Sequence, residues 1–227
     1  MKISEIFYSI QGEGMLVGVP SVFVRTSGCN LRCSWCDTPY ASWEPEGVSM
    51  GVAEIVAEMR RHPARHVVVT GGEPMIQPEI GELTESLRDA GVHITIETAG
   101  TVHASVACDL MSISPKLANS TPREREGGRW ASVHERLRRQ PDVLVQLMAS
   151  HPYQLKFVIA RPEDLVEVEN LLDAVRADRS RVVLMPEGVD PVTLAERGRW
   201  LAEICKERNY RFSPRLHVML WGNRRRV

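Results

Sequence analysis

Long apolar runs are missing from this sequence. No stretch approaches the roughly 20 nonpolar residues that span a bilayer, and the first residues lack the basic start and apolar core of a secretory leader. A cytoplasmic protein with no membrane partner is therefore expected. An excess of either charge is missing too: 28 Lys and Arg stand against 29 Asp and Glu, a formal net charge of −1. That balance argues against a broad electrostatic surface for nucleic acid, and the one dense basic run is Arg224-Arg225-Arg226. Cysteine is scarce and odd in number, five residues in 227, which suits a reducing compartment better than a disulfide framework. Internal repeats and low-complexity tracts are absent.

What is present is the composition of an ordinary globular chain, 43% hydrophobic and 25% charged, long enough for one α/β domain over residues 1–227 with a full core. Its organising feature is Gly28-Cys29-Asn30-Leu31-Arg32-Cys33-Ser34-Trp35-Cys36-Asp37-Thr38, which holds three of the five cysteines with three and then two residues between them. The stretch follows the apolar run Ser21-Val22-Phe23-Val24, so the cysteines fall on a loop that leaves a strand. Three thiolates are one fewer than a structural zinc site or an ordinary four-iron cluster takes, and no nearby His or Cys offers another. One metal position would stay open, and an open position is where a substrate binds. A three-ligand zinc site and three incidental buried cysteines are the competing readings of the spacing. Cys108 and Cys205 stand alone among apolar neighbours and read as small buried hydrophobes.

Short β-like runs alternate with longer helical patterns, the mark of parallel βαβ units. Strands are expected at Ser21–Ser27, His66–Thr70, His93–Glu97, Leu110–Ser114, Gln154–Ile159 and Arg181–Met185, and helices at Val52–Arg61, Glu79–Ala90, Glu163–Ala177 and Val192–Arg208. Leu165, Val168, Leu171, Leu172 and Val175 form one apolar stripe, which is core. Two stretches break the rhythm. Pro39–Gly51 carries two prolines and two glycines, which disfavours a regular helix directly after the cysteine loop. Lys116–Arg129 is polar, charged and Gly-rich, part of an excursion over about residues 116–135 that is either functional or disordered. Near the chain end, the alternation of Leu216, Val218 and Leu220 before Trp221 reads as a strand that packs, within a closing segment of about residues 211–227. The expected architecture is a partial, open parallel β/α barrel of about six strands.

Polar motifs recur where these strands end, the end that carries the site in parallel β/α folds. Gly71-Gly72 lets a backbone approach a ligand without a Cβ, although a tight strand-to-helix turn would use the same glycines. Pro74 suits the first turn of the next helix. Lys116, after Ser114-Pro115, is either a surface lysine or a site cation. Glu97 is either a solvated strand end or a contact for a ribose or substrate. Lys156 interrupts the apolar Leu155-Phe157-Val158-Ile159 and is expected on the polar face of a half-exposed strand rather than pointing inward.

The Cys-x3-Cys-x2-Cys spacing, with Trp35 before the last Cys, resembles the signature of the radical S-adenosylmethionine superfamily. The resemblance implies that Cys29, Cys33 and Cys36 hold a 4Fe-4S cluster whose open iron is chelated by the amino and carboxylate groups of S-adenosylmethionine. An electron from the cluster would then cleave the sulfonium to a 5′-deoxyadenosyl radical. Gly71-Gly72-Glu73-Pro74 resembles the superfamily's second motif, whose backbone meets the amino group of S-adenosylmethionine. Within the superfamily, Glu5-Ile6-Phe7-Tyr8-Ser9-Ile10-Gln11-Gly12-Glu13-Gly14 and Pro20-Ser21-Val22-Phe23-Val24-Arg25 resemble the 7-carboxy-7-deazaguanine synthase family. So do Cys36-Asp37-Thr38, Thr70-Gly71-Gly72, Glu97-Thr98, Ser114-Pro115-Lys116, Leu216-His217 and Trp221-Gly222-Asn223, while Met185-Pro186-Glu187-Gly188 departs from the Gln-Pro expected there.

This resemblance implies a ring contraction of 6-carboxy-5,6,7,8-tetrahydropterin to 7-carboxy-7-deazaguanine with loss of ammonia, on the route to queuosine and related 7-deazapurines. The radical would abstract hydrogen from C6, S-adenosylmethionine would be regenerated, and magnesium would assist. Applied to this chain, an N-terminal segment over residues 5–20 supplies Ile10, Gln11, Gly12 and Glu13 to the pterin, joined by Arg25, Thr70 and Val227. Arg25 and Glu13 are the catalytic candidates: a guanidinium offers a carboxylate two parallel donors, and a carboxylate accepts from ring N–H groups. Trp35, Cys36, Asp37, Gly72, Glu73, Glu97, Ser114, Pro115 and Lys116 are the candidates for S-adenosylmethionine. Thr38 offers a hydroxyl to magnesium, which prefers oxygen ligands. A homodimer and an electron donor such as a flavodoxin or ferredoxin are implied as partners. The runner-up is an activase that installs a glycyl radical on a partner enzyme, which would share the cysteine triad and Gly-Gly-Glu-Pro. A cluster-carrying or redox-sensing module is the non-enzyme alternative.

Overall fold

Valine- and isoleucine-rich runs separated by helices bury both faces when they pair as parallel neighbours with helices packed on one side. That is the arrangement of the computed structural model, which describes every residue from Met1 to Val227. The first half of the chain runs through β1 (Lys2–Ile10), β2 (Pro20–Thr26), α1 (Pro39–Ser42), β3 (Val48–Ser49), α2 (Val52–Met59), β4 (His66–Gly71), α3 (Ile80–Asp89), β5 (His93–Thr98) and β6 (Leu110–Ile113). The second half holds α4 (Ala131–Leu137), α5 (Pro141–Ser150), β7 (Tyr153–Ile159), α6 (Asp164–Ala174), β8 (Val182–Pro186), α7 (Pro191–Arg208), β9 (Arg211–Phe212) and α8 (Leu216–Trp221).

All nine strands join one open sheet in the order β3-β1-β2-β4-β5-β6-β7-β8-β9. The six expected strands are its contiguous parallel centre, extended by parallel β9 at one edge and at the other by β1, antiparallel to β2, and the short β3, antiparallel to β1. Register aligns Val24 with Val69, Val69 with Ile96 and Ile96 with Met111. This row faces the helices, where Ile55 and Met59 of α2, Leu83 and Leu87 of α3 and Val168 and Leu172 of α6 complete the core. The intervening residues point to the opposite face, as the two-residue period of a strand requires. There Phe7, Phe23 and Val68 form a separate small cluster.

Three expectations need correction, and one open reading is narrowed. β1 lies where only a substrate segment was expected; its buried positions are Ile3, Glu5 and Phe7, and a carboxylate in the middle of that series, beside a bulge between Ile3 and Glu5, masks the apolar alternation. A single turn, α1, does follow the cysteine loop, because Pro39 sits at its first position, where a missing N–H costs no hydrogen bond. The excursion is ordered, with short 3-10 turns over Ala118–Ser120 and Arg125–Gly128 leading into α4. Finally, Leu216–Trp221 is helical rather than extended: the run is apolar almost throughout, so strand and helix periods fit it equally. Only Val218 of α8 is buried, and Met219, Leu220 and Trp221 are exposed.

Candidate active site

The inner face of the sheet is the wall of one cavity of about 220 Å³. Phe7 of β1, Arg25 of β2, Thr70 of β4, Glu97 of β5, Lys156 of β7 and Met185 of β8 all line it. In a flat sheet β1 and β8 would lie about 29 Å apart at the usual 4.8 Å strand spacing. Sharing a cavity of this size therefore requires the sheet to curl around it. The rim is built from the loops that leave the strand ends, including the cysteine loop, Gly71-Gly72, Ser114–Lys116 and Glu187-Gly188.

Cys29, Cys33 and Cys36 line one side of the cavity, and none is in a disulfide. Burial, with the Glu73 carboxylate next in weight, pushes the Cys29 thiol up to about 12, and burial pushes Cys33 above the ordinary thiol range. Such thiolates need cations beside them. The donor set is soft sulfur, which fits an iron–sulfur cluster. No three His, Cys, Asp or Glu side chains converge to hold a single ion, and thiolates that each ligate a different iron need no such convergence. The loop is braced on both flanks. Leu31 N donates to Cys29 Sγ (3.3 Å), Ser42 Oγ lies 3.1 Å from Cys36 Sγ, and Trp43 Nε1 donates to Cys33 O (3.0 Å). From the excursion, His134 Nδ1 accepts from Arg32 N (3.1 Å), which leaves its Nε2 to donate to Ser120 Oγ (2.9 Å). Burial and nearby Arg138 hold His134 down at about 4, so it is the neutral tautomer that makes both bonds.

Gly72 carries the second motif against the cysteine loop. A Cβ there would sit 2.2 Å from Gly28 O and 2.4 Å from Ala41 O, so no side chain fits. Glu73 N then donates to Gly28 O (2.9 Å), tying the two loops together. The Glu73 carboxylate is fully buried and accepts from Met75 N, Thr98 Oγ1 and Ala99 N. It fastens the end of β5 and does not line the cavity. Pro115 does not line it either, whereas Ser114 and Lys116 do.

On the opposite wall, the Gln11-Gly12-Glu13-Gly14 loop is pinned by Gly14 N to Ser213 Oγ (2.8 Å), Met15 N to Gln154 Oε1 (2.7 Å) and Leu216 N to Gly12 O (2.9 Å). Glu13 projects between two cations, forming ion pairs with Lys156 Nζ and, through Oε1 at 3.0 Å, with Arg215 Nε. Burial would raise the Glu13 carboxyl, but Lys156, Arg215 and His217 together hold it well below the ordinary value of 4.5. Arg215 also donates to Gly188 O (2.6 Å) and pairs with Asp37. Glu97 accepts from Gln11 Nε2 (3.0 Å) and Thr70 Oγ1 (2.8 Å). Arg25 gives only its Nε, to Glu5 Oε1 at 2.8 Å, and its two terminal nitrogens make no other hydrogen bond.

Ile10, Gln11, Gly12, Glu13, Arg25, Trp35, Asp37, Thr38, Thr70, Gly72, Glu97, Ser114, Lys116 and Val227 are thus brought to one cavity. Lys156 points inward, contrary to expectation, because Leu155, Phe157 and Ile159 take the helix-facing side of β7 and the other side faces the cavity rather than solvent. Arg215 was missed, and nothing in its local sequence distinguishes it. His217 and Glu187 also line the cavity. No helix is long and apolar enough to cross a membrane.

The sequence pattern of the Radical SAM superfamily matches residues 23–142. The 7-carboxy-7-deazaguanine synthase of Halobacterium salinarum is 46% identical over 98% of this chain and 91% of its own length. That of Rhodopirellula baltica is 43% identical over 99% and 88%. The crystal structure of QueE from Escherichia coli superposes with a TM-score of 0.71 at 28% identity, covering 95% of this chain and 94% of that one. With the cysteine triad, the Gly72 crossing and the polar N-terminal loop set around one cavity, the chain belongs to the 7-carboxy-7-deazaguanine synthase family of the radical SAM superfamily.

Proposed function

We infer that this chain is a radical SAM lyase that contracts the ring of 6-carboxy-5,6,7,8-tetrahydropterin to 7-carboxy-7-deazaguanine, releasing ammonia, in 7-deazapurine and queuosine biosynthesis. The observation that carries the reading is that three cysteine thiols and an ion-paired polar wall line one cavity, in a chain that matches named synthases almost end to end. Cys29, Cys33 and Cys36 would hold a 4Fe-4S cluster, which would supply the single electron that reductive cleavage of S-adenosylmethionine needs. The glycyl-radical activase is not favoured by these matches.

The chain's own residues bind, orient and fix charge. The free terminal nitrogens of Arg25 offer two parallel donors to the substrate carboxylate. Glu13 stays ionised between Lys156 and Arg215, so it accepts from ring N–H groups and does not serve as a proton donor. Glu97 is aligned by Gln11 and Thr70 to accept from hydroxyl or N–H groups of either ligand. Gly72, Asp37, Ser114 and Lys116 lie on the cysteine side, where S-adenosylmethionine sits in this reading. The hydroxyl of Thr38, 3.8 Å from Cys36 Sγ, is available to magnesium, which keeps most of its shell as water and substrate oxygens. Thr38→Ala is expected to lose magnesium stimulation while S-adenosylmethionine binding stays near wild type; equal magnesium dependence in both proteins would remove Thr38 from the site.

The five unpaired thiols fit a cytoplasmic setting, a flavodoxin or ferredoxin as electron donor is part of the same reading, and the exposed Met219, Leu220 and Trp221 of α8 would support a homodimer. Thermal unfolding of the cluster-reconstituted protein separates the lyase from the activase. Addition of 6-carboxytetrahydropterin in the presence of S-adenosylmethionine is expected to raise Tm by several degrees, by mass action on the folded state. No shift at saturating pterin would count against a pterin pocket.

A further inference from the structure

We propose that Arg215 is a positioning residue that braces the pterin wall against the cysteine loop, so that its loss uncouples the two substrates rather than weakening the binding of either. The proposal rests on the lyase reading and adds to it what fixes the spacing across the cavity. Arg215 stands between β9 and α8, and the backbone on both sides of it is rooted in the pterin wall. Gly14 N donates to Ser213 Oγ (2.8 Å), Leu216 N to Gly12 O (2.9 Å) and Ser213 N to Leu184 O of β8 (2.9 Å). From that root the side chain, in a residue only 7% exposed, divides among three loops. Its Nε donates to Glu13 Oε1 (3.0 Å), its Nη1 to Gly188 O (2.6 Å) and its Nη2 to the Asp37 carboxylate.

Asp37 directly follows Cys36, the last of the three thiols. The other hydrogen bonds of residues 28–38 stay within residues 28–43 or run to Glu73, Thr101, Asn119, Ser120 and His134. Arg215 is thus the one hydrogen-bonded link between the cysteine loop and the wall that faces it. Burial raises the Asp37 and Glu13 carboxyls, but the cations beside them, Arg215 in common, hold both below their ordinary values, so the link is ionic at neutral pH. A lysine would keep the charge, yet a single ammonium on a flexible stem cannot present three donors in fixed directions.

Spacing matters because, in the proposed reaction, one hydrogen atom leaves the pterin C6 for the 5′ carbon of the deoxyadenosyl radical and later returns to the rearranged ring. Atoms held by opposite walls must therefore meet twice, and a misplacement of about 1 Å slows such a step by about 100-fold. A radical that misses C6 takes its hydrogen atom from a buffer thiol instead, which becomes a thiyl radical. 5′-Deoxyadenosine is then released, S-adenosylmethionine is consumed, and the added reductant replaces the electron.

The test compares the cluster-reconstituted wild type with Arg215→Lys, Asp37→Asn and the double variant. Each is incubated anaerobically with S-adenosylmethionine, magnesium, 6-carboxytetrahydropterin, dithionite and a thiol, and the ratio of 5′-deoxyadenosine to 7-carboxy-7-deazaguanine is read by mass spectrometry. Each single variant is expected to raise that ratio at least about ten-fold and to lower kcat for the product, with KM for both substrates near wild type. The double variant is expected to match the worse single, because both changes cut one link. Asp37→Asn leaves the bonds of Arg215 to Glu13 and Gly188 in place, so it decides the matter if Arg215→Lys does not fold. Hydrogen exchange over residues 33–43, measured on the loaded proteins without substrates, is expected to quicken about ten-fold in each single variant while that of β4 and β5 is unchanged. A wild-type ratio in Arg215→Lys would reduce Arg215 to a counter-charge for Glu13 and overturn the proposal. So would a loss confined to KM for the pterin, additive effects in the double variant, or unaltered exchange over residues 33–43. If the wild type itself leaves the pterin unchanged, the lyase reading falls, and the exchange result decides the brace by itself.

Discussion

Glu13 and Lys156 set the electrostatics of the cavity at the scale of single residues. Lys156 is buried and Glu13 largely so, and each would be costly alone: an unpaired charge in such a site is destabilising by several kcal/mol. Their titrations run in opposite senses. The Glu13 carboxyl lies below its ordinary 4.5, so its contribution to stability is present above that value and is lost as the pH falls toward the folded-state value. Burial lowers the Lys156 ammonium, but Glu13 and Glu97 raise it above its ordinary 10.5 overall, so its contribution holds below that value and is lost only as the pH rises through the raised one. A stability plateau across neutral pH follows. Lys156→Met should reduce stability by about 2–4 kcal/mol at neutral pH, the range for breaking a buried pair, tempered by the remaining Arg215. It should also move the acid limb of the stability profile upward, because Glu13 loses the larger of its two cationic partners. Denaturant unfolding of both proteins across the acid range measures this, and an unchanged acid limb would mean that Arg215 alone holds Glu13.

Among the elements, the chain end has the clearest consequence. Arg225 lies with its guanidinium carbon 3.6 Å from the Tyr40 ring centroid, its Nη1 3.2 Å from Glu46 Oε2 and its Nε 3.6 Å from Glu5 Oε2. Arg226 also reaches Glu5 Oε2 at 3.6 Å, and Val227 lines the cavity. The basic run that sequence alone would leave in solvent is thus latched to β1 and α1. The same Glu5 carboxylate accepts from Arg25 Nε and, at 3.0 Å, from the Tyr40 hydroxyl, so the latch and the proposed substrate guanidinium share one anchor. If the Val227 carboxylate accepts from the pterin, each charge-assisted bond contributes about 1.5–3 kcal/mol. A C-terminal affinity tag should then raise the KM for the pterin about ten-fold or more with S-adenosylmethionine binding nearly intact, and Arg225→Ala should give a smaller shift of the same kind. Identical pterin kinetics with and without the tag would leave Val227 outside the substrate contacts.

At the scale of the whole molecule, the parts legible in the sequence are those governed by local rules. The parallel strands carry short apolar runs rich in β-branched residues, the flanking helices carry period-3.6 stripes, and both emerge with boundaries shifted by a few residues. The cysteine triad and Gly71-Gly72 are contiguous motifs, so their chemistry is visible without coordinates. What was not legible depends on residues far apart in sequence. Glu5 looks like a surface carboxylate until Arg25, Tyr40 and the chain end surround it. Lys156 looks half-exposed until the sheet curls and Glu13 arrives from 143 residues away. Glu73, placed by its motif among the ligand contacts, is drawn into the backbone of β5 instead. The two cavity walls, thiol-bearing on one side and ion-paired on the other, make sense together only if one small-molecule reaction spans them. Anaerobic incubation of the reconstituted protein with a reductant, S-adenosylmethionine, magnesium and 6-carboxytetrahydropterin, followed by mass spectrometry, tests that most directly. The expected result is 7-carboxy-7-deazaguanine accumulating over many turnovers with little net loss of S-adenosylmethionine; cleavage of S-adenosylmethionine with the pterin left unchanged would contradict it.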